Sequence, residues 1–400
     1  MESFKGLVTK LIHTRIDYPS VNAEKGILIP QNSEVEISHA VKGQMYRTSD
    51  NWYVLTNKTF IWSGAIHTGQ DIPVISKKLL ITADDIGIVK EIDLGAKIAL
   101  REGWINSVAI LVNGENDADL RDFSNFLKTA TGKDSNIPLF ETTHVGLHFT
   151  ITSGKPVANA ADTALLLDQD GCFSKFTEID KIYETDQCIS QIKIEFQAQY
   201  DKFKRIFGRE PDHLTSHHDV LTFNFPLFKF MHEWSSEKNI PIRTHKFLPS
   251  GKRFWYDTLV IRKLDLPSIS RMDEWKNENG TKAFGPEHTF VAHYGPIPPF
   301  AVVDYPSEVR KKNKKIKEAI SDFLLSRDSV REIVIHLIKS DFRAQRDLII
   351  QHKSLLNLYS GIDIKYFDGR VAEYLSLKNN NFIKTNPWVQ FLPCSYRLTT

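Results

Sequence analysis

Along roughly the first seventy residues the apolar positions come in short bursts that alternate with polar ones: LIHTRI, GILIP, EVEISHAV, NWYVLT and FIWSGAIH. Turn-forming residues separate them, among them Asn32-Ser33, Ser49-Asp50-Asn51 and Asn57-Lys58. Closely spaced β-prone runs broken by turns predict a small all-β barrel or sandwich. Trp52, Tyr53 and Trp62 lie in these runs, and in so small a barrel they are expected in the core rather than along a ligand groove. After the junction at Gly69–Pro73 the texture changes. Short apolar strands now alternate with helical patterns, which signals a parallel or barrel-type α/β domain.

In that second region a strand at 79–82 precedes a helix over Val89–Glu102, with Ile92, Ala96 and Ala99 on one face and Gly103 as its stop. The pattern continues with strand Ser107–Val112, helix Ala118–Thr131, strand His144–Thr150 and a long helix from Gln191 to Phe207 that ends at Gly208. Strand His213–Ser216, helix Pro226–Lys238 and strand Ile240–Thr244 follow. Residues 246–305 are rich in Pro, Gly and aromatics and lack a clear period, as in a lid or substrate-loop insertion. Helix 307–327, strand Glu332–His336, helix Phe342–Leu358 and strand Ile362–Phe367 close the pattern; the tail from Asn379 has no assignment. Two domains are expected, 1–72 and 73–400.

Composition narrows the function without naming it. The chain has 400 residues, 41% hydrophobic and 25% charged, ordinary for a globular protein. Lys plus Arg number 51 against 49 Asp plus Glu, a net of +2, which predicts neither a nucleic-acid surface nor an anionic membrane as partner. The basic run Lys311–Lys317 lies beside Glu318 and Asp322 and reads as a solvated helix face. The N-terminus lacks the apolar core of a signal peptide, and no apolar run reaches membrane-spanning length. Cys172, Cys188 and Cys394 lack metal-type spacing, so reduced thiols and a cytoplasmic location are expected.

The candidate chemistry gathers at strand ends. In KLLITADDIG a buried strand stops at Asp84 and Asp85, just before Gly87. Alone, Asp-Asp-x-Gly is also ordinary turn and cap chemistry. Alternating side-chain direction would let one Asp bind a metal while its neighbour handles a proton. Other strands end at His148, at His217, His218 and Asp219, at Arg243 and at His336. In a parallel α/β barrel such ends open on one face, where active sites lie. One Asp with two His is a sensible ligand set for a hydrolytic divalent metal, leaving positions open for water and substrate.

These residues also carry a family resemblance. From Lys78 to Gly369 the chain resembles the YdjC/ChbG family of carbohydrate deacetylases. TADDIG resembles that family's ADDFG, VGLHFTITSGKPV its G-L/M-H-L-T-x-x-G-x-P segment, and FGREPDHLTSHHDVLTFNFP the stretch around T-H-L-D-S-H-x-H-V-H. IPIR at 240–243 resembles the strand bearing a family Arg; REIVIHL with RAQRDLIIQHKSLLN resembles the closing H-P-G strand and its Arg-rich helix. The resemblance implies a distorted (β/α) TIM-like barrel that removes N-acetyl groups from an amino-sugar oligosaccharide or glycoconjugate. It implies Asp85, His148 and His217 as metal ligands, Asp84 as general base, and His336 as acid or oxyanion partner. Arg243, Asp219 and His218 would contact substrate, with Arg243 also suited to orienting acidic neighbours. The cofactor would be a divalent ion, Zn²⁺ or Mg²⁺ first, then Mn²⁺, Co²⁺ or Ni²⁺. The partner would be an N-acetylated sugar, with a homodimer as the assembly to look for.

Two departures stand out: Asp219 and Leu221 replace family histidines, and Leu337 and Ile338 replace the Pro-Gly after His336. They bear on substrate and acid more than on metal. The N-terminal segment resembles bacterial SH3-like domains, chiefly through VKGQMYRTSDNWYVLTNKTFIWSGAI. Two competing readings stay open. Phosphoester hydrolysis would call for a Lys/Arg or Gly-rich phosphate cradle, and none is seen. A degenerate barrel could bind carbohydrate without cleaving it.

Overall fold

The computed structural model describes residues 3–114, 116–178, 185–222, 224–243, 246–248, 269–278, 288–291, 305–339, 364–379 and 389–391. Packing divides these into two units: residues 3–79, 311–331 and 389–391 form the first, and the remainder forms the second. The predicted helix Phe342–Leu358 and most of the 246–305 insertion lie outside the described residues. Among the described residues no helix is long and apolar enough to cross a membrane.

The first unit is a curled, largely antiparallel sheet. Its strands are β1 (Phe4–Val8), β2 (Ile12–Arg15), β3 (Lys25–Ile29), β4 (Glu34–Tyr46), β5 (Ser49–Leu55), β6 (Phe60–Trp62), β7 (Ile66–Thr68) and β8 (Val74–Ile75). They lie in the order β3-β2-β6-β5-β4-β1-β7, with the short β8 parallel to β4. The predicted runs therefore became strands, and Phe4–Val8 is an additional one. Val8, Ile37, Ala40, Leu55, Ile61 and Ile66 form its core. Trp52 and Trp62 are buried, as expected of core aromatics. Their indole N–H groups donate to the carbonyls of Gln44 and Ser49, each at 3.0 Å, so burial leaves neither of these two donors unpaired.

The second sheet runs β12-β11-β10-β9-β15-β14-β13, with β16 added along β9. These are β9 (Lys77–Ile86), β10 (Ser107–Ile110), β11 (His144–Phe149), β12 (Leu214–Ser216), β13 (Phe247–Leu248), β14 (His288–Val291), β15 (Val330–Ile335) and β16 (Val389–Phe391). The pairings of β9 with β10, β10 with β11 and β11 with β12 are parallel, so their C-terminal ends share one edge. The α-helices among the described residues are α1 (Lys90–Arg101), α2 (Asp117–Thr129), α3 (Leu139–Thr142), α4 (Asp186–Phe207), α5 (Phe225–Lys238), α6 (Ile269–Glu278), α7 (Tyr305–Leu325) and α8 (Ile364–Asn379). In α1 the predicted face is the buried one, with Ile92, Ala96 and Ala99 each at most 1% exposed. Thr185 caps α4 by accepting from Cys188 N–H, and Gly208 ends it at φ 73°.

Two expected strands did not form as such. Within Ile240–Arg243 there is one bridge, Leu214 with Ile242, where Pro241 has no N–H to extend the ladder; Thr244 lies outside the described residues. Of the predicted strand Ile362–Phe367, Ile364–Phe367 begin α8, and residues 362 and 363 lie outside the described residues. Its short apolar run fits either period, and only the downstream face, where Val371, Ala372 and Leu377 are buried, decides for helix.

One buried base in the first unit gives a pH test. His39 is 4% exposed. Burial, helped by the charges of Lys77 and Arg327, lowers its pKa from 6.5 to about 4. The unfolded chain therefore binds a proton that the folded chain refuses between pH 6.5 and 4. Stability from this group is complete above pH 6.5 and is lost as pH falls toward 4. The expected loss is about 2–3 kcal/mol. In His39→Gln, urea unfolding between pH 7 and 4 should be flatter by that amount; an unchanged slope would exclude His39 as the cause.

Candidate metal centre

The site is built on an irregularity in β9. Along β10, Val108 pairs with Ala83 and Ile110 with Ile86, so three steps on β9 face two on its neighbour. The extra residue is a bulge, a device that bends a strand and re-aims its side chains. Asp85 takes it up at φ 68°, a left-handed conformation that carries a steric cost for any residue with a Cβ. Gly87 completes the turn at φ 98°, where a Cβ would come within 2.4 Å of the Leu111 carbonyl oxygen. Its N–H donates to Asp93 Oδ1 at 2.8 Å. Burial pushes the Asp93 carboxyl up to about 7.

The bulge gives the two adjacent carboxylates different surroundings. Asp84 is 3% exposed and receives both arms of the Arg243 guanidinium, at 2.7 and 2.8 Å. The same guanidinium donates to Glu332 at 2.9 and 2.8 Å, and Thr289 adds a bond to Glu332 at 3.1 Å. Burial pushes the Asp84 pKa upward, but the neighbouring Arg243 charge outweighs it and the net shift is downward. Asp84 is thus held ionised.

Asp85 divides its two oxygens. Oδ2 accepts from Arg370 at 2.5 Å. Oδ1 faces His148 Nε2 at 3.2 Å and His217 Nδ1 at 2.9 Å, and it makes no hydrogen bond. His217 Nε2 is likewise without a hydrogen-bond partner. Donor atoms of Asp85, His148 and His217 all lie within 4.8 Å of one another, and all three residues are buried. Burial opposes ionisation of Asp85, yet the charges of His217 and Arg370 take its pKa well below the usual carboxylate value.

His148 Nδ1 lies 2.6 Å from Thr215 Oγ1. With the proton on Nδ1, Thr215 accepts it and Nε2 keeps its lone pair toward Asp85, the usual support of a metal-ligating imidazole. Two imidazoles and the buried carboxylate oxygen that faces them form a donor set that suits a divalent cation. The residues present fit the metal that the sequence implies.

The remaining expected residues surround this set. His218 and Asp219 both adopt left-handed backbone, φ 55° and 53°, in the tight turn after β12. The His218 ring lies 3.9 Å from that of His217 and 4.7 Å from Phe176, and its Nδ1 is 2.9 Å from Thr152 Oγ1. Asp219 is not among the convergent donors; it lines a small cleft with Arg243, Leu221 and Phe228. His336 follows β15, with Nε2 3.9 Å from Asp85 Oδ2. Its backbone N–H donates to Glu373 at 2.6 Å.

Thr215, Glu332, Arg370 and Glu373 are the site residues that sequence reading passed over. Glu332 had a signal, a charge at the start of an apolar strand two and four residues before Val334 and His336. Arg370 and Glu373, one helical turn apart in α8, fall in a stretch to which the sequence assigned no element, and they are 4% and 0% exposed.

Known proteins are similar to this chain. A family model described as YdjC-like protein matches residues 78–352. A carbohydrate deacetylase of Clostridium beijerinckii is 32% identical over 44% of this chain and 63% of its own length. Chitooligosaccharide deacetylases of Proteus mirabilis and Salmonella schwarzengrund are 30% and 33% identical over 42% and 49% of this chain. The chain spans 60% and 66% of these two relatives. A solved structure from Enterococcus faecalis V583, a candidate cellobiose-phosphate cleavage protein, superposes with TM-score 0.55 at 18% identity, over 80% of this chain and 98% of its own. That likeness is one of fold.

The Asp84–Arg243–Glu332 array yields a stability test. Removing the guanidinium leaves two carboxylates buried without it, and breaking such a pair costs about 3–5 kcal/mol. Arg243→Met should therefore lose about that much in urea unfolding of chelator-treated protein, and adding Asp84→Asn should recover part of the loss. A loss below about 1 kcal/mol would mean that these charges are solvated rather than paired.

Proposed function

The chain belongs to the YdjC-like protein family, and from that membership we propose that it is a metal-dependent carbohydrate N-deacetylase. The observation that carries this reading is the convergence of Asp85, His148 and His217 beside an ionised Asp84. The deacetylases among its relatives point to an N-acetylated amino-sugar oligosaccharide or glycoconjugate as substrate.

In this reading Asp85, His148 and His217 hold the cation, Zn²⁺ or Mg²⁺ first among the candidates. When bound, it polarises the amide carbonyl and lowers the pKa of water. Asp84 accepts a proton from the attacking water as the carbon–oxygen bond forms. Arg243 orients Asp84 from behind and keeps it ionised. His336, as imidazolium, donates a proton to the amine nitrogen as the carbon–nitrogen bond breaks, and acetate and a free amine leave. Its charge also favours the developing oxyanion. His218 and Asp219 flank the donors as sugar contacts.

The same reading keeps a TIM-like (β/α) barrel for 73–400, an SH3-like module for 1–72 and a cytoplasmic location. The SH3-like assignment is supported by the curled antiparallel sheet of the first unit.

Metal content is the first measurement. Protein purified without added metal or chelator should carry about one divalent ion per chain, and His217→Ala should lose it. Across N-acetylated sugars the wild type should release acetate, with Asp84→Asn reduced by about 10²–10⁴-fold. Wild type that stays metal-free after loading with Zn²⁺, Mn²⁺ or Co²⁺ would sink this mechanism and leave a carbohydrate-binding role.

A further inference from the structure

Helix α8 approaches the candidate centre with a buried residue of unassigned role. Arg370 is 4% exposed, and its Nη2 donates to Asp85 Oδ2 at 2.5 Å. The other oxygen of that carboxylate, Oδ1, is the one that faces both imidazoles. The helix is fixed in register around this contact. Val371, Ala372 and Leu377 are buried, the Tyr374 ring meets Trp104 edge-on at 5.8 Å, and Glu373 receives the His336 backbone N–H. Asp85 is held between this guanidinium on Oδ2 and the two imidazoles facing Oδ1.

We propose that Arg370 is a specificity-determining positioning residue: by occupying Asp85 Oδ2 it leaves one carboxylate oxygen for a cation and biases the centre toward Zn²⁺ over Mn²⁺. This rests on the metal-centre reading above. A free carboxylate can offer one oxygen or two. An ion content with few, short bonds to imidazole and one oxygen loses little when the second oxygen is taken. An ion that favours oxygen-rich, higher coordination loses more. The repulsion between the guanidinium and a dication is the same for both ions, so it cancels in their ratio. What remains in the ratio is the number of oxygens that Asp85 can present.

The test is the Zn²⁺ and Mn²⁺ dissociation constants of the full chain, measured by competition with a chromophoric chelator. Wild type is compared with Arg370→Met, which keeps bulk without a donor, and Arg370→Lys, which keeps a charge that can reach Oδ2. The Zn²⁺-over-Mn²⁺ preference should fall at least about tenfold in Arg370→Met, the size expected when support of a ligand is removed. In Arg370→Lys it should stay within about threefold of wild type. A purely structural role for Arg370 predicts equal weakening for both ions, or a lowered melting temperature of chelated protein with an unchanged ratio. Either result would overturn the proposal. If Arg370→Met does not fold, Arg370→Leu, which also lacks a donor, carries the same expectation, and an unchanged ratio there overturns it. Failure of wild type to bind either ion would instead overturn the metal centre, and this inference with it.

Discussion

Burying two adjacent carboxylates is the constraint around which the second unit is arranged. Taking an ionised carboxylate out of water costs several kcal/mol unless hydrogen bonds and opposite charge meet it. Each aspartate has its own guanidinium: Arg243, from the segment after α5, holds Asp84, and Arg370, from α8, holds Asp85. Neither is close in sequence, so the site can form only once the chain has brought β9, Arg243 and α8 together. The compensation is also incomplete. Asp84 and Glu332 share one guanidinium, and Asp85 Oδ1 faces two imidazoles rather than a guanidinium. A residual negative charge with lone pairs around it is a place for a cation.

The bulge in β9 explains how neighbours in sequence come to do different work. Strict strand alternation would send Asp84 and Asp85 to opposite faces of the sheet, and one of them would leave the site. With Asp85 at φ 68° and an extra residue in the register, both remain at the strand's C-terminal end. The backbone strain is sustained by the packing about it, notably Gly87 pressed against the Leu111 carbonyl and tied to Asp93. Strain held in place by surrounding structure is a common companion of functional sites.

Much of this was legible in the sequence. The change of period after Gly69–Pro73 separated a sheet of short strands from alternating strands and helices, because burial imposes period two on one and the helical repeat on the other. The donors were legible because each sits at a strand end and carries a metal-binding side chain. The bulge was not, since Asp and Asn enter left-handed backbone without a distinctive neighbour pattern. Nor was the role of Arg370, 285 positions from Asp85, because i,i+3 opposite charges on a helix have the same spelling on a surface as in a core. Ile364–Phe367 shows the same limit for secondary structure: four residues are too few to tell a strand's period from a helix's, and the packing further along α8 decided it.

The two departures from the family pattern fall where they can be absorbed. Leu337 and Ile338 replace a Pro-Gly turn after His336, and both are completely buried. Leu337 packs so closely on α1 that a Cβ added at Gly95 would lie 3.3 Å from its own, and Lys339 N–H donates to the Glu91 carbonyl at 3.1 Å. The segment is thus held by apolar burial and a helix contact where Pro would hold it through a fixed φ. Asp219 and Leu221 line a cleft with Arg243 and Phe228 and do not belong to the convergent donors. Substituting an acid and an apolar residue for two imidazoles changes what that wall can recognise. It leaves untouched the hydrogen bonds and charges that hold Asp84, Asp85, His148 and His217.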